Sequence, residues 1–129
     1  MKKIVSIFCL LFGADSFADD SDKVADLLTS HYEYLNERDY EAATLQLHPG
    51  LDRQAIGTTY VKLLANLRFK TSSVNVVAED TPFIIASITQ NVFRDNEVVI
   101  ESALSYFVLK AEDDMLWIVN SVPVPMEVR

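Results

Sequence analysis

The chain is poor in the residues that most often announce a chemistry. Among its 129 residues there are one cysteine, three glycines and two histidines. Cys9 lies inside the apolar run Ile4 to Phe12, and no thiol follows it. A disulfide framework and a catalytic thiol beyond that run are therefore excluded, and an exported domain of roughly 110 residues can hold its fold from its core alone. Gly13, Gly50 and Gly57 are too scattered to build a phosphate-cradling loop. No metal-ligand spacing and no nucleophile elbow occurs. Positive charge is scarce as well: 11 basic residues face 19 acidic ones, for a net charge of −8. That balance disfavours nucleic acid and anionic membrane surfaces as partners.

What is present begins with a leader. Met1-Lys2-Lys3 is a positive start, Ile4 to Phe12 is an apolar run too short to span a bilayer, and Ser16-Phe17-Ala18 is a small-x-small cleavage site. These features predict a signal peptide over 1–18, a mature start at Asp19 and a single domain over 19–129, working in a bacterial periplasm or outside the cell. Removing Lys2, Lys3 and Asp15 leaves 9 basic and 18 acidic residues, a net of −9. No cofactor is expected, and no membrane association once the leader is gone.

The rest of the chain sorts into helices and then strands. Asp19 to Lys23 reads as a polar leader, with Ser21 or Asp22 available to cap a first helix. In that helix Val24, Leu27, Leu28, His31 and Leu35 form one apolar stripe at helical period, and the end is expected near Arg38. Asp39 caps a short second helix over Tyr40 to Leu47, stopped by His48-Pro49-Gly50. A third helix is expected from Asp52 to Leu67, with Ile56, Tyr60, Leu63, Leu64 and Leu67 as its buried stripe. Strands follow around Val74 to Ala78, over Phe83 to Phe93, over Glu97 to Lys110 and over Met115 to Val122. Glu112-Asp113-Asp114 separates the last two. Consecutive carboxylates on a tight turn diverge, so they read as a turn and not as a metal site.

Segregated helices and strands mean an α+β fold, with three N-terminal helices on a curved four-stranded antiparallel sheet. The curvature follows from length. Glu97 to Lys110 would span roughly 45 Å if straight, more than a small domain can house, so the strand must bend. Ser102-Ala103 and Ser87 are the expected bending points. A bent sheet with helices on its concave side encloses a conical cavity, a half-barrel.

Two stretches carry a family resemblance. His31-Tyr32-Glu33-Tyr34-Leu35-Asn36-Glu37-Arg38-Asp39-Tyr40-Glu41-Ala42-Ala43, with His48-Pro49 beyond it, resembles an aromatic-rich first helix followed by an acidic cap on the second. Tyr106-Phe107-Val108-Leu109-Lys110 and Trp117-Ile118-Val119-Asn120-Ser121 resemble a terminal hairpin with a Trp after an acidic turn. Both are similar to the nuclear-transport-factor-2-like superfamily, the cystatin-like half-barrel that includes ketosteroid isomerases and SnoaL-like polyketide cyclases. The resemblance implies the cone-shaped fold over the whole mature chain. It does not carry a catalytic residue across: the stretch after His48 turns straight into a helix, where Asp52 is placed to cap it. The superfamily holds enzymes, binding modules and assembly domains alike.

The candidate site residues are His31, Tyr34, Tyr60, Tyr106 and Trp117. His31 faces inward on the first helix and could bond a ligand or act as a base, or be a core histidine bonded to a carbonyl or a Tyr. The three tyrosines and Trp117 could line the cone or simply pack. His48 reads as a helix-end residue. A two-residue loop at Asp113-Asp114 would put Tyr106 and Val108 on the face of Trp117 and Val119, and one residue more would put Phe107 and Leu109 there. Both faces of the third strand are apolar, so the outer face calls for a cover, and a homodimer through it is the simplest. The expected function is a non-catalytic binding or interaction module, with a small apolar ligand in the cone or a protein on the sheet face. A toxin-neutralising, immunity-type role would fit that description. The alternative is an isomerase, dehydratase or cyclase acting on a small hydrophobic substrate, with His31 as general base and a Tyr as oxyanion donor.

Overall fold

The computed structural model describes residues 14–123, with side-chain surroundings from 21 to 122. Three helices precede four strands: α1 (Ala14–Asn36), α2 (Tyr40–Thr44), α3 (Arg53–Leu64), β1 (Leu67–Asp80), β2 (Phe83–Arg94), β3 (Glu97–Glu112) and β4 (Met115–Pro123). The strands form one antiparallel meander in the order β1-β2-β3-β4. This is the expected α+β order. Of the expected leader over 1–18, residues 1–13, Cys9 among them, lie outside the described residues, and residues 14–18 belong to α1. Among the described residues no helix is long and apolar enough to cross a membrane.

Helix α1 follows its sequence pattern. Val24, Leu28, His31 and Leu35 are buried on its inner face. No Pro or Gly interrupts residues 14–36, and the helix accordingly begins upstream of Ser21 and Asp22, which lie inside it and do not cap it. It ends at Asn36, two residues short of expectation. Arg38 adopts a left-handed φ of 64°. Its Nη1 donates to the carbonyls of Leu35, Asn36 and Leu67, so the guanidinium fills the helix C-terminus and ties it to the start of β1.

Helix α2 is also shorter than expected. Asp39 caps it by accepting from Ala42 N. Beyond Thr44 the backbone leaves the helix to run beside β4: Ile118 N donates to Gln46 O and His48 N donates to Ile118 O, at 3.0 and 2.9 Å. Residues 46–48 thus cover the open edge of the last strand, a long-range pairing that outcompetes another helical turn. Asp52 caps α3 as expected, accepting from Ala55 N at 3.1 Å.

The expected stripe of α3 is corrected. None of its residues is fully buried, and Leu63 is 68% exposed. The helix stops at Leu64 because Leu67 begins β1, paired with Arg94. It packs along α2 and stands over the mouth of the sheet.

The bending occurs at bulges, where one strand carries an extra residue. In β3 one lies between Ile100 and Ala103, where Ser102 has a φ of 53° and its N–H donates to Asn91 Oδ1. Ser102 is therefore a bending point as expected. Ser87 is not: it pairs regularly with Asn75 and Tyr106. Further bulges occur at Val99 in β3, at Ser72 and Val77 in β1, and at Val119 in β4. The tight turns Asp95-Asn96 and Asp113-Asp114 have positive φ at both residues, which matches the twist of the flanking strands.

The concave face carries the core. Ile84, Ala86 and Ile88 of β2, Phe107 and Leu109 of β3 and Ile118 of β4 meet Val24 and Leu28 of α1 and Leu47. The convex face keeps Phe83, Ile85, Tyr106 and Val122 exposed.

Candidate functional site

Between α3 and the open end of the sheet lies a cavity of about 270 Å³. Leu47 forms its floor, Ile56 and Tyr60 come from α3, and Phe107, Ile118 and Ser121 come from the sheet. The Val119 bulge turns Val119 towards the same hollow. Hollows of about 450 Å³ beside the Asp113-Asp114 turn and about 330 Å³ between Arg38, Arg68 and Asp95 are larger. Both lie at the rim, and neither joins the helices to the concave sheet. The smaller cavity is the one that corresponds to the expected cone.

Behind Tyr60 runs a chain of side-chain hydrogen bonds. Tyr60 Oη is 3.2 Å from His31 Nε2. His31 Nδ1 is 3.0 Å from Gln46 Oε1. Gln46 Nε2 donates to Ser30 Oγ at 2.7 Å, and Ser30 Oγ donates to Leu27 O at 2.9 Å. His31 is 2% exposed, and burial lowers its pKa from 6.5 to about 4, against smaller opposing effects of Gln46 and the Ala43 backbone. The imidazole is therefore neutral at pH 7. Burial pushes the Tyr60 hydroxyl up to about 12, so it keeps its proton.

The sequence candidates divide. His31 and Tyr60 are brought together. Only Tyr60 borders the cavity, and it stands between His31 and the hollow. Tyr34 is half-buried on α1 and does not border the cavity. Tyr106 lies on the convex face, 37% exposed and paired with Ser87 and Val122, and so does not line the cone. Trp117 also lies outside it. It pairs with Lys110, meets His48 edge-on at 6.2 Å and sits beneath the Arg53 guanidinium at 5.6 Å. The two-residue turn puts Tyr106, Val108 and Trp117 on one face, and the Val119 bulge then takes Val119 out of that alternation.

Two participants have no local signature strong enough to single them out. Tyr32 packs against His31, Phe69 and Phe107, with ring centroids 5.7, 5.0 and 6.1 Å apart. Its spacing of four from Leu28 is the one clue. Burial raises its hydroxyl pKa, with Tyr60 adding to the effect. Gln46 is placed by the backbone pairing to β4, which no local pattern encodes.

His48 serves as a clip. Its Nδ1 accepts from Gly50 N at 3.0 Å, which leaves the proton on Nε2 to donate to Glu112 at 2.7 Å. That bond, with the Lys110 ammonium nearby, holds the Glu112 carboxyl below its ordinary pKa. Among the described residues no group of three or more metal-ligand side chains converges.

No family model matches the chain, and no curated protein matches it. Solved structures do. A protein described as a candidate dehydratase from the NTF2-like family, from Streptomyces avermitilis, superposes with a TM-score of 0.64 at 18% identity over 84% of this chain and 99% of that one. An NTF2-like protein with a cystatin-like fold from Novosphingobium aromaticivorans superposes with a TM-score of 0.68 at 16% identity over 88% and 86%. A Catenulispora acidiphila protein in complex with S-DNPA superposes at 0.63, with 16% identity over 79% and 90%. The element order, the bulged four-stranded sheet and these superpositions together give this chain the fold of the nuclear-transport-factor-2-like superfamily, a cystatin-like half-barrel.

Proposed function

We propose that the protein is an exported, non-catalytic binding module whose cone holds a small, mainly apolar ligand. The observation that carries this reading is the cavity under α3, walled by Leu47, Ile56, Phe107 and Ile118 and bordered by Tyr60, whose hydroxyl meets His31. Ligand pockets characteristically pair apolar walls with a few placed polar groups. The fold neighbour from Catenulispora acidiphila in complex with S-DNPA supports it by analogy of fold. An isomerase, dehydratase or cyclase with His31 as general base fits less well. Its Nε2 is occupied by Tyr60, and its lowered pKa makes it a weak base. Native mass spectrometry of the mature protein, under gentle and then dissociating conditions, tests the reading. Release of a discrete small-molecule mass is expected. Bare protein that also fails to take up apolar aromatic probes would refute it.

The export half of the reading rests on the Lys2-Lys3 start, the apolar run and Ser16-Phe17-Ala18. Among the residues whose burial is described, the first that is fully buried is Val24, and all of them lie beyond a cleavage before Asp19. An intact mass beginning at Asp19 is expected from a periplasmic or culture-medium fraction, and an unprocessed cytoplasmic chain would count against export.

A specific observation also favours a second copy as the cover for the convex face. Phe83, Ile85, Tyr106 and Val122, on three adjacent strands, are 40, 38, 37 and 51% exposed. A homodimer at micromolar concentration is expected by sedimentation, and Tyr106→Glu is expected to yield a folded monomer. A monomeric wild-type mass would direct the search to a different protein on this face.

A further inference from the structure

The hydrogen-bond chain behind Tyr60 has a direction, and one end determines it. The Leu27 carbonyl can only accept, so the Ser30 hydroxyl spends its proton there. Ser30 Oγ must then accept from Gln46, which turns the amide nitrogen towards Ser30 and the amide oxygen towards His31. An amide oxygen also only accepts. His31 therefore carries its proton on Nδ1 and leaves Nε2 bare. A bare Nε2 accepts, so the Tyr60 hydroxyl must donate inward to it. Tyr60 has one proton to give, and it is committed away from the cavity.

We propose that Ser30, Gln46 and His31 act as positioning residues that set Tyr60 as a hydrogen-bond acceptor towards the cavity, so that the cone selects small apolar molecules bearing an O–H or N–H donor over matched molecules that carry only an acceptor. This rests on the cone being the ligand site and adds the class of ligand it takes. Tyr60 is thereby assigned the opposite polarity to an oxyanion donor. A carbonyl or ether oxygen placed against it would meet lone pairs. Replacing the buried hydroxyl's ligand partner with a group that cannot donate leaves that oxygen unsatisfied, which is the usual source of strong discrimination in such pockets. A cavity of about 270 Å³ limits the ligand to a single ring or a short branched chain.

Two measurements test this. The first needs no ligand. Long-range ¹H–¹⁵N spectra of the wild-type protein at pH 7 read the His31 tautomer, and the Nδ1-protonated form is expected. An Nε2-protonated ring would overturn the assigned polarity, leaving the cone as a ligand site intact. The second is an NMR titration with para-cresol and with para-methylanisole, which differ in whether the oxygen can donate. Wild type is expected to favour para-cresol by about three- to tenfold, the worth of one neutral hydrogen bond. In Tyr60→Phe that preference is expected to vanish, through weaker para-cresol binding with no loss of para-methylanisole binding. A preference for para-methylanisole in wild type, or a para-cresol preference that survives in Tyr60→Phe, would overturn the inference alone. Binding of neither probe would overturn the cone-binding reading and the inference with it.

Discussion

Asn36 grips both polar groups of the Phe69 backbone: Nδ2 donates to Phe69 O at 2.8 Å and Oδ1 accepts from Phe69 N at 2.7 Å. β1 is an edge strand, and Phe69 pairs with Val92 on its other side. The amide of the last residue in α1 thus stands in for a missing neighbouring strand. It locks the end of the helix to the start of the sheet, the corner that Arg38 also closes. Asn36→Ala is expected to cost about 2 kcal/mol, since two backbone groups lose their partner at once. Asn36→Asp keeps the acceptor but sets a carboxylate oxygen against the Phe69 carbonyl, so it should not recover the loss. Chemical denaturation of the three proteins checks the ranking, and equal stability of Asn36→Ala and wild type would contradict it.

His31 makes stability depend on pH. Its folded pKa, about 4, lies below the ordinary 6.5. The unfolded chain therefore binds the proton more readily, and acid favours unfolding. The stabilisation is complete above pH 6.5 and is lost as pH falls towards 4. Between pH 7 and pH 5 wild type should lose about 2 kcal/mol through this group. His31→Gln should show a correspondingly flatter profile over that window. Parallel profiles for the two proteins would show that His31 is not the group responsible.

Arg53 joins α3 to what lies beneath it. Its Nη2 donates to Leu45 O and Leu47 O, and its Nε donates to Leu47 O as well. The same guanidinium lies over Trp117. A lysine cannot reproduce this fork. Arg53→Lys is expected to lower stability by about 1–2 kcal/mol and to quench less of the change in Trp117 fluorescence on unfolding. Thermal melts followed by Trp117 emission check both effects together.

Tyr40 presents the opposite case. Its hydroxyl is buried with no hydrogen-bond partner among the described residues. Removing the oxygen removes a desolvation cost and keeps the ring, so Tyr40→Phe should be neutral or stabilising by up to about 1 kcal/mol. A clear loss of stability on calorimetry would mean that the hydroxyl finds a partner in solution.

The local devices of this fold were legible because each is settled within a few residues. Asp39 and Asp52 cap their helices through backbone N–H groups three positions away. Val24, Leu28, His31 and Leu35 align because the helical period is short. Ser102 could be named as a bending point because strand length alone demanded one. Ser87 looked equivalent in sequence, yet its neighbours on both sides keep it in register.

The site was legible only in part, for a reason that Trp117 and Tyr60 illustrate. Side-chain alternation fixes which strand residues share a face, but a single extra residue such as Val119 reverses the alternation beyond it. Nothing local marks that bulge. Trp117 lies before that bulge and shares the face of Tyr106 through the two-residue turn, whereas Val119 is taken out of it. The α3 stripe failed for a related reason: an apolar helical period says that a helix has a face, not that anything covers it.

The amino-acid order by itself determined the α+β class, the Asp39 and Asp52 caps, the acidic turn at Asp113-Asp114 and the inward stripe that carries His31, since these depend on short-range period, backbone hydrogen bonding and turn geometry. Only the tertiary structure decided that Gln46 leaves its helix to meet β4, that His31 looks at Tyr60 and not at the cavity, and that Tyr106 and Trp117 face outward. Those outcomes depend on pairings between residues up to dozens of positions apart, where bulges and edge contacts set the register, and chain order does not specify them one residue at a time.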